Sequence, residues 1–129
     1  MAALVPYLTV HDAAAAIDWY VAALGAAETG ERYPNADGSI GFAALTVAGA
    51  TFFVSDEAHE YGGYAPRTVG RSTVALVLEV ADVDAVHARA VAAGATSDRP
   101  PADAGDERRG WFVDPLGQSW AVEQRVAAH

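Results

Sequence analysis

The sequence predicts an α+β domain made of two similar halves, each a strand followed by a helix and then further strands. Two segments about 70 residues apart support this prediction, because each closes an alternating apolar run and opens an alanine-rich helix. They are Leu-Thr-Val-His-Asp at 8–12 and Leu-Glu-Val-Ala-Asp at 78–82. A repeat of this length is too long for a solenoid and indicates two fused copies of one supersecondary unit. We therefore expect a single pseudo-twofold domain over 1–129 with a cleft between its halves.

Composition narrows the range of partners. A formal net charge of −9 argues against binding to nucleic acid, which requires clustered cations facing the phosphates. The chain has no cysteine, so disulfides and thiolate metal sites are excluded. The first residues do not resemble a secretory signal, and no apolar run is long enough to span a membrane. We expect a cytoplasmic protein that binds neither nucleic acid nor membranes. Its acidity either favours solubility or attracts a cationic ligand, and composition leaves both open.

The first half begins with a predicted strand and helix. Apolar alternation from Leu4 to Val10 indicates a strand that places Tyr7 opposite the face that packs on the helix. Asp12 is a suitable N-cap for a helix over about 13–24, in which apolar residues recur at helical spacing. Gly25 is a suitable C-terminal stop.

A turn and a hairpin complete the first half. Residues 33–38 have the composition of a turn, and a hairpin is predicted from 40–47 and 51–55. The first module then covers about 1–58. The next residues, about 56–72, are rich in glycine and aromatic side chains, and we call them the crossing segment. This segment links the two modules and is placed to cover the cleft as a lid.

The second half repeats the pattern. Thr73–Val80 alternates between apolar and polar residues and is the clearest strand of the chain. Asp82 or Asp84 caps a helix that reaches about Ala93, and Gly94 ends it.

A closing hairpin completes the second module, which covers about 73–129. Residues 100–105 are predicted to be a loop, because they contain two prolines and a glycine. The hairpin consists of 110–113 and 118–124 around the turn 114–117.

Six segments, in this order, carry a resemblance to a known family. They are Pro6-Tyr7-Leu8-Thr9-Val10-His11-Asp12-Ala13, Ile17-Asp18-Trp19-Tyr20, Leu24-Gly25-Ala26, Val80-Ala81-Asp82-Val83-Asp84-Ala85, Ala93-Gly94-Ala95 and Trp111-Phe112-Val113-Asp114-Pro115-Leu116-Gly117. The chain resembles the vicinal oxygen chelate superfamily of glyoxalases, bleomycin-resistance proteins and extradiol dioxygenases. The resemblance implies two βαβββ modules whose curved mixed sheets enclose a cleft, and a homodimer that forms two equivalent pockets. It leaves the chemistry open, because function resides in the site.

The resemblance also implies where a metal would bind. Catalytic members chelate a divalent ion with side chains on the first and last strands of each module. Matching those strands to this sequence gives the positions Val5, Phe53, Ala75 and Ala121. A shift of two residues gives Tyr7, Ser55, Val77 or Thr73, and Glu123. Among all of these only Glu123 is a good ligand, so we expect neither a metal nor another cofactor.

The predicted cleft faces carry small side chains and a few aromatic ones, which indicates a roomy binding pocket. The predicted ligand-binding residues are Tyr7, Phe42, Phe53, Tyr61, Tyr64, Ala75, Trp111, Ala121 and Glu123. Their aromatic rings can stack on a planar ligand, although Phe42, Phe53 and Trp111 equally suit a core or a dimer interface. Four other aromatic residues are predicted to lie in the core, namely Trp19, Tyr20, Phe52 and Trp120.

Charged residues near the cleft allow further roles. Glu79 and Glu123 lie on the predicted cleft faces, where paired carboxylates can act as general acid and base. They also suit strand ends in solvent, or contact with the cationic part of a ligand. Arg108 and Arg109 can clamp an anion or bridge to neighbouring acidic residues. His87 is expected on a helix surface or half-buried.

These observations favour a metal-free protein that sequesters a bulky, partly aromatic compound such as an antibiotic, without turnover. The alternative is an enzyme of the same superfamily, namely an isomerase, lyase or dioxygenase with an atypical metal or none. Such an enzyme would use Glu79 and Glu123 as acid and base. A third possibility is an interaction module whose cleft is unused.

Overall fold

The computed structural model describes residues 2–125 and contains two four-stranded mixed sheets. Module one comprises β1 (Tyr7–Val10), α1 (Ala13–Leu24), β2 (Ala27–Pro34), β3 (Ile40–Val47) and β4 (Ala50–Asp56). The crossing segment contains a 3-10 helix (His59–Tyr61) and α2 (Pro66–Val69). Module two comprises β5 (Ala75–Glu79), α3 (Val83–Ala92), β6 (Thr96–Ala104), β7 (Glu107–Val113) and β8 (Ser119–Arg125).

The two modules share one topology. The strand orders are β1-β4-β3-β2 and β5-β8-β7-β6, and neither sheet is closed. In each sheet the first strand of the module lies parallel to the last, and the other neighbours are antiparallel. The predicted α+β fold of two βαβββ modules is therefore confirmed.

Capping side chains define both long helices. Asp12 and Asp82 each accept a hydrogen bond of 3.1 Å from the backbone N–H three residues on, as an N-cap does. Gly25 ends α1 in the left-handed conformation, at φ 71°. Helix α3 ends differently from the prediction, because Ala93 is its C-cap and Gly94 follows one residue later.

Two strands lie where the sequence indicated turns and loops. Strand β2 includes part of the predicted turn at 33–38, and β6 includes most of the predicted loop at 100–105. Every residue of β2 is exposed, as are all but one in β6, because both strands lie at sheet edges. An edge strand with no buried face shows no apolar alternation, which explains why the pattern did not reveal these strands.

Strand β1 is shorter than predicted. It begins at Tyr7, so Leu4 and Val5 precede the strand, and Leu4 is almost fully exposed. Tyr7 lies opposite Phe53 across the parallel pair, and in module two Val77 lies opposite Ala121. Val5 therefore lies before β1 and not within it, whereas Ala75 and Val77 both lie on β5.

A single core joins the modules. The rings of Tyr20, Phe52 and Trp120 meet with centroids 5.5 to 6.1 Å apart, and all three side chains are buried as predicted. Trp19 is partly buried, and its indole nitrogen donates a 2.9 Å hydrogen bond to the Ala93 carbonyl at the end of α3. The helix-covered sides of both sheets thus face one another.

His87 also belongs to this packed region, contrary to the expectation of a surface or half-buried side chain. It is buried between α3 and the module-two sheet. Its Nε2 atom lies 3.2 Å from the Trp111 carbonyl oxygen and 3.2 Å from the Ser97 hydroxyl. These two partners give His87 a structural role.

The sides of the sheets away from the helices are the open faces. Module one presents Tyr7, Thr9, Phe42, Phe53 and Ser55 there, and module two presents Ala75, Val77, Glu79, Arg109, Trp111, Ser119, Ala121 and Glu123. The sequence predicted one cleft between the halves. In the structure the apolar sides form a shared core, and two cavities lie between the modules: one of about 390 Å³ lined by Phe52 and Val77, and one of about 210 Å³ lined by Tyr7 and Val74. Within residues 2–125, no helix has the length and hydropathy needed to cross a membrane.

Candidate functional site

The open face of module one carries an aromatic cluster. The rings of Phe42 and Phe53 lie 4.8 Å apart, and Tyr7 packs edge-on against Phe53 at 5.6 Å. Tyr33 extends the cluster from β2, with its ring 5.7 Å from that of Phe42. Three predicted ligand-binding residues therefore lie together, and Tyr33 joins them. Tyr33 was missed because it was assigned to a turn rather than to a strand.

A cavity of about 370 Å³ lies beside this cluster, and we call it the aromatic cavity. Tyr7 lines it from β1, and Tyr61 lines it from the crossing segment. The hydroxyls of Thr9 and Ser55 supply polar groups on the same wall. Tyr7 is 51% exposed and Tyr61 is 85% exposed, so both rings are accessible to a ligand.

Hydrogen bonds fix the walls of the aromatic cavity. The Tyr7 hydroxyl donates to the Gly41 carbonyl oxygen at 2.7 Å, which holds the ring in place. The Asp56 carboxylate accepts from the backbone N–H groups of Ala13 and Ile40 at 2.7 and 2.8 Å. Because both Asp56 oxygens already have backbone donors, this carboxylate acts as a brace between α1 and β3.

The crossing segment is held beside the aromatic cavity by Glu57. Its carboxylate accepts a hydrogen bond from the Thr68 hydroxyl and pairs with the His59 ring, each at 2.5 Å. The hydrogen bond from Thr68, together with that from His59, lowers the pKa of Glu57. The His59 ring stacks on Tyr64 at 4.5 Å, and Tyr64 lines a smaller cavity together with Tyr7. Tyr61 and Tyr64 therefore both lie near Tyr7, on a segment with defined contacts.

The remaining predicted ligand-binding residues lie on module two. Trp111 is half-buried, and the Arg99 guanidinium stacks over its ring at 4.5 Å. Ala75 is exposed at the start of β5. Ala121 is fully buried, which corrects its assignment as a ligand contact, because Trp111 lies opposite it on β7. The structure thus separates Trp111 from the aromatic cluster of module one.

The two glutamates proposed as an acid and base do lie together. Glu79 and Glu123 are directly opposite each other on β5 and β8, and both line a cavity of about 230 Å³. The Glu123 carboxylate forms an ion pair with Arg109 at 2.7 Å. Arg109 also pairs with Glu107 at 2.6 Å, so it bridges acidic residues rather than standing free to clamp an anion.

Arg108 is likewise occupied. Its guanidinium donates two hydrogen bonds of 2.8 Å to Asp84 and one of 3.0 Å to Asp103. The hydrogen bonds from Arg108 keep the pKa of Asp84 below its usual value. Arg108 therefore links α3 to the β6–β7 hairpin.

The donor set of the open faces does not suit a metal ion. Within residues 2–125, no three histidine or acidic residues are grouped closely enough to hold one. At the matched last-strand positions, Phe53 lies opposite Tyr7 and Ala121 lies opposite Val77. None of these side chains is an ordinary ligand for zinc, iron or manganese.

Two paired βαβββ modules with open sheet faces define a glyoxalase-type fold. Residues 2–122 match the family model of the Glyoxalase/Bleomycin resistance protein/Dioxygenase superfamily. The chain belongs to this superfamily.

Similar proteins cover nearly the full chain. The protein Mb0911c of Mycobacterium bovis is 42% identical over 129 residues, which cover 96% of this chain and 84% of that protein. TioX from Micromonospora sp. ML1 is 26% identical, with a TM-score of 0.73 and 99% of each chain covered. The Arabidopsis thaliana gene product AT5G48480 is 25% identical, with a TM-score of 0.70 over 95% of this chain and 98% of that chain.

Proposed function

We propose that this protein binds a bulky, partly aromatic small molecule at the aromatic cavity, without a metal, and sequesters it as an antibiotic-binding protein would. The aromatic cluster around Tyr7, which carries no metal ligand, is the observation that supports this proposal most directly. Superfamily membership is compatible with it, because bleomycin-resistance proteins share the fold.

The chemistry of the cavity matches such a ligand. Accessible Tyr7 and Tyr61 rings provide surfaces for stacking, and each aromatic pair contributes about 0.5–1.5 kcal/mol beyond burial. The hydroxyls of Thr9 and Ser55 can orient polar substituents. Its volume of about 370 Å³ lies within the usual range for small-molecule sites.

A titration with the fluorescent, uncharged aromatic probe N-phenylnaphthylamine tests this function. We expect saturable binding that a chelator does not change, and an affinity about threefold to tenfold lower in Tyr61→Ala, since one stacking surface is lost. Val91→Ala is the control, because Val91 is also exposed but lies on α3 and does not line the cavity. Absence of binding, or equal affinity in wild type and Tyr61→Ala, would contradict the proposal.

The proposal includes a homodimer that covers the open faces. Module one presents large rings there, whereas module two presents small side chains such as Ala75 and Val77. Val77 is 56% exposed in the single chain, although its side chain is apolar. A twofold arrangement that sets module one of one copy against module two of the other buries both faces at once and creates two equivalent pockets.

Sedimentation of wild type and Val77→Arg tests the dimer. The arginine places a charge on the open face, so we expect the dimer to dissociate. Val91→Arg, on the outer side of α3, provides a control that should keep the wild-type mass. A monomeric wild-type protein would contradict this part of the proposal.

A metal-independent enzyme is the second candidate, and the pairing of Glu79 with Glu123 in one cavity favours it. In such an enzyme the exposed Glu79 would exchange a proton with the substrate while Arg109 holds Glu123 in place. Turnover that is lost in Glu79→Gln and in Glu123→Gln, at unchanged ligand affinity, would support catalysis. Binding without turnover in wild type would support sequestration.

A further inference from the structure

We propose that the ligand of this protein carries an anionic group, such as a carboxylate, sulfonate or phosphate, and that Arg67 and Arg71 bind it. This inference rests on the proposed function, since it specifies the chemistry of the molecule that reaches the aromatic cavity.

The distribution of ion pairs singles out these two arginines. The chain has eight cationic side chains, all arginines, and 17 acidic ones. Five arginines form ion pairs with carboxylates, namely Arg32, Arg99, Arg108, Arg109 and Arg125. Arg89 donates to the Ala22 carbonyl oxygen at 2.6 Å. In the part of the chain that the structure describes, Arg67 and Arg71 form no ion pair, although carboxylates outnumber arginines about two to one.

Both arginines line the same groove, which we call the arginine groove. It lies between the crossing segment and the beginnings of β6 and β8, with a volume of about 1030 Å³. Three hydroxyls line it as well, those of Ser72, Thr96 and Ser119. Guanidinium and hydroxyl groups are donors, and a planar guanidinium binds a carboxylate or phosphate through two parallel hydrogen bonds.

Two acidic residues also line the arginine groove, Asp98 and Asp114. Asp98 lies 4.0 Å from the Arg99 guanidinium. Asp114 is buried, and its two oxygens accept four hydrogen bonds from surrounding donors. Asp114 is thus fully engaged, and the exposed Asp98 is the remaining carboxylate beside the donors of Arg67 and Arg71.

Packing fixes the position of Arg67. The turn at Gly117 lies so close to α2 that a Cβ atom added there would be 3.1 Å from the Pro66 Cβ. Across this contact the Arg67 guanidinium donates a 3.3 Å hydrogen bond to the Pro115 carbonyl oxygen. The close packing of the turn against α2 holds the backbone at Arg67 beside the groove, which reduces the entropic cost of binding.

The arginine groove continues toward the aromatic cavity. Arg71 and Ser72 line both the groove and the smaller cavity of about 210 Å³ that contains Tyr7 and Tyr64. Tyr7 and Thr9 then line both this smaller cavity and the aromatic cavity. Consecutive cavities with shared walls allow one molecule to stack its ring at Tyr7 and to place its anionic group at Arg71.

Two probes of nearly the same shape separate charge from stacking. Anilinonaphthalene sulfonate is an anion, and N-phenylnaphthylamine lacks the sulfonate. We expect the protein to bind the sulfonate more tightly despite its net charge of −9. Arg67→Gln and Arg71→Gln should each weaken sulfonate binding about tenfold, and leave the uncharged probe unaffected. Arg71→Lys should retain part of the affinity, because it keeps the charge.

Arg32→Gln is the matched control, since Arg32 already pairs with Glu28 on β2. Equal binding of both probes, or the same loss of sulfonate binding in Arg32→Gln, would overturn the anionic subsite and leave the proposed function intact. Binding of neither probe would overturn both proposals. Binding of the uncharged probe alone would show that the ligand is not an anion.

Discussion

The Tyr20 hydroxyl donates a 2.6 Å hydrogen bond to Oδ2 of Asp114, and this bond links α1 of module one to the β7–β8 turn of module two. The same oxygen accepts from the Trp120 indole at 2.9 Å. The other Asp114 oxygen accepts from the backbone N–H groups of Leu116 and Gln118, at 2.9 and 3.0 Å. One buried carboxyl group thus organises the turn and joins the two modules.

Loss of the Tyr20 hydroxyl should destabilise the protein. Tyr20→Phe keeps the ring contacts but removes one donor from the buried Asp114, so we expect the free energy of unfolding to fall by about 1–3 kcal/mol. Urea unfolding followed by tryptophan fluorescence measures the change. Tyr33→Phe removes an exposed hydroxyl and should leave stability within about 0.5 kcal/mol of wild type. Equal stability of the two variants would contradict a linking role for Tyr20.

The stability contribution of Asp114 should depend on pH. Burial raises the pKa of its carboxyl above the value in the unfolded chain, while hydrogen bonds from Tyr20 and Trp120 oppose that rise. The unfolded chain has a carboxyl pKa of about 4. When the pKa in the folded protein is higher, the group's contribution to the free energy of unfolding is complete at pH values below the unfolded pKa. This contribution is lost as pH rises through the folded pKa. The difference in free energy of unfolding between wild type and Asp114→Asn should therefore be largest at about pH 4 and should decline toward neutrality. A difference that grows with pH would show that the ionised carboxylate is the favoured form.

Comparing substitutions at two glycines in the left-handed conformation distinguishes backbone strain from a packing clash. Gly38 and Gly117 have φ angles of 88° and 91°, where alanine is strained by about 1–2 kcal/mol. A Cβ at Gly38 would meet open space, whereas one at Gly117 would press against Pro66 of α2. Gly117→Ala should therefore cost more stability than Gly38→Ala in urea unfolding. Equal losses would mean that the contact between the turn and α2 is not tight.

Glu57 should control the mobility of the crossing segment. Glu57→Gln weakens the carboxylate interactions with His59 and Thr68, so we expect faster amide hydrogen exchange across 59–69. Glu60→Gln is the control, because it removes the same charge three residues away, on the 3-10 helix. Identical exchange in wild type and Glu57→Gln would exclude this bracing role.

The helices could be predicted closely because local signals define their ends. Asp12 begins α1 as an N-cap, and Gly25 ends it because glycine readily adopts the left-handed conformation. The apolar alternation within 73–80 identified β5. Strands β2 and β6 could not be predicted, because their neighbours, and not their own sequence, make them strands.

The candidate site was only partly predictable for a related reason. Strand alternation correctly put Tyr7 and Phe53 on one face, but it does not say which faces of the two modules meet. Trp111 lies on β7 of module two beneath the Arg99 guanidinium, whereas the aromatic cluster is built from module one. Arg67 was also missed, because its place in the arginine groove depends on contacts with the distant turn at Pro115 and Gly117.

Nuclear magnetic resonance of isotope-labelled protein, titrated with N-phenylnaphthylamine in the presence of a chelator, tests the central claim most directly. Metal-free binding at the aromatic cavity predicts saturable shifts of the amide signals of Thr9, Ser55 and Gly63, which line the cavity. The signals of Ala16 and Ala90, buried on the far side of the sheets, should remain unchanged. Shifts that appear only when the chelator is omitted, or that occur only around Glu79 and Glu123, would contradict the account.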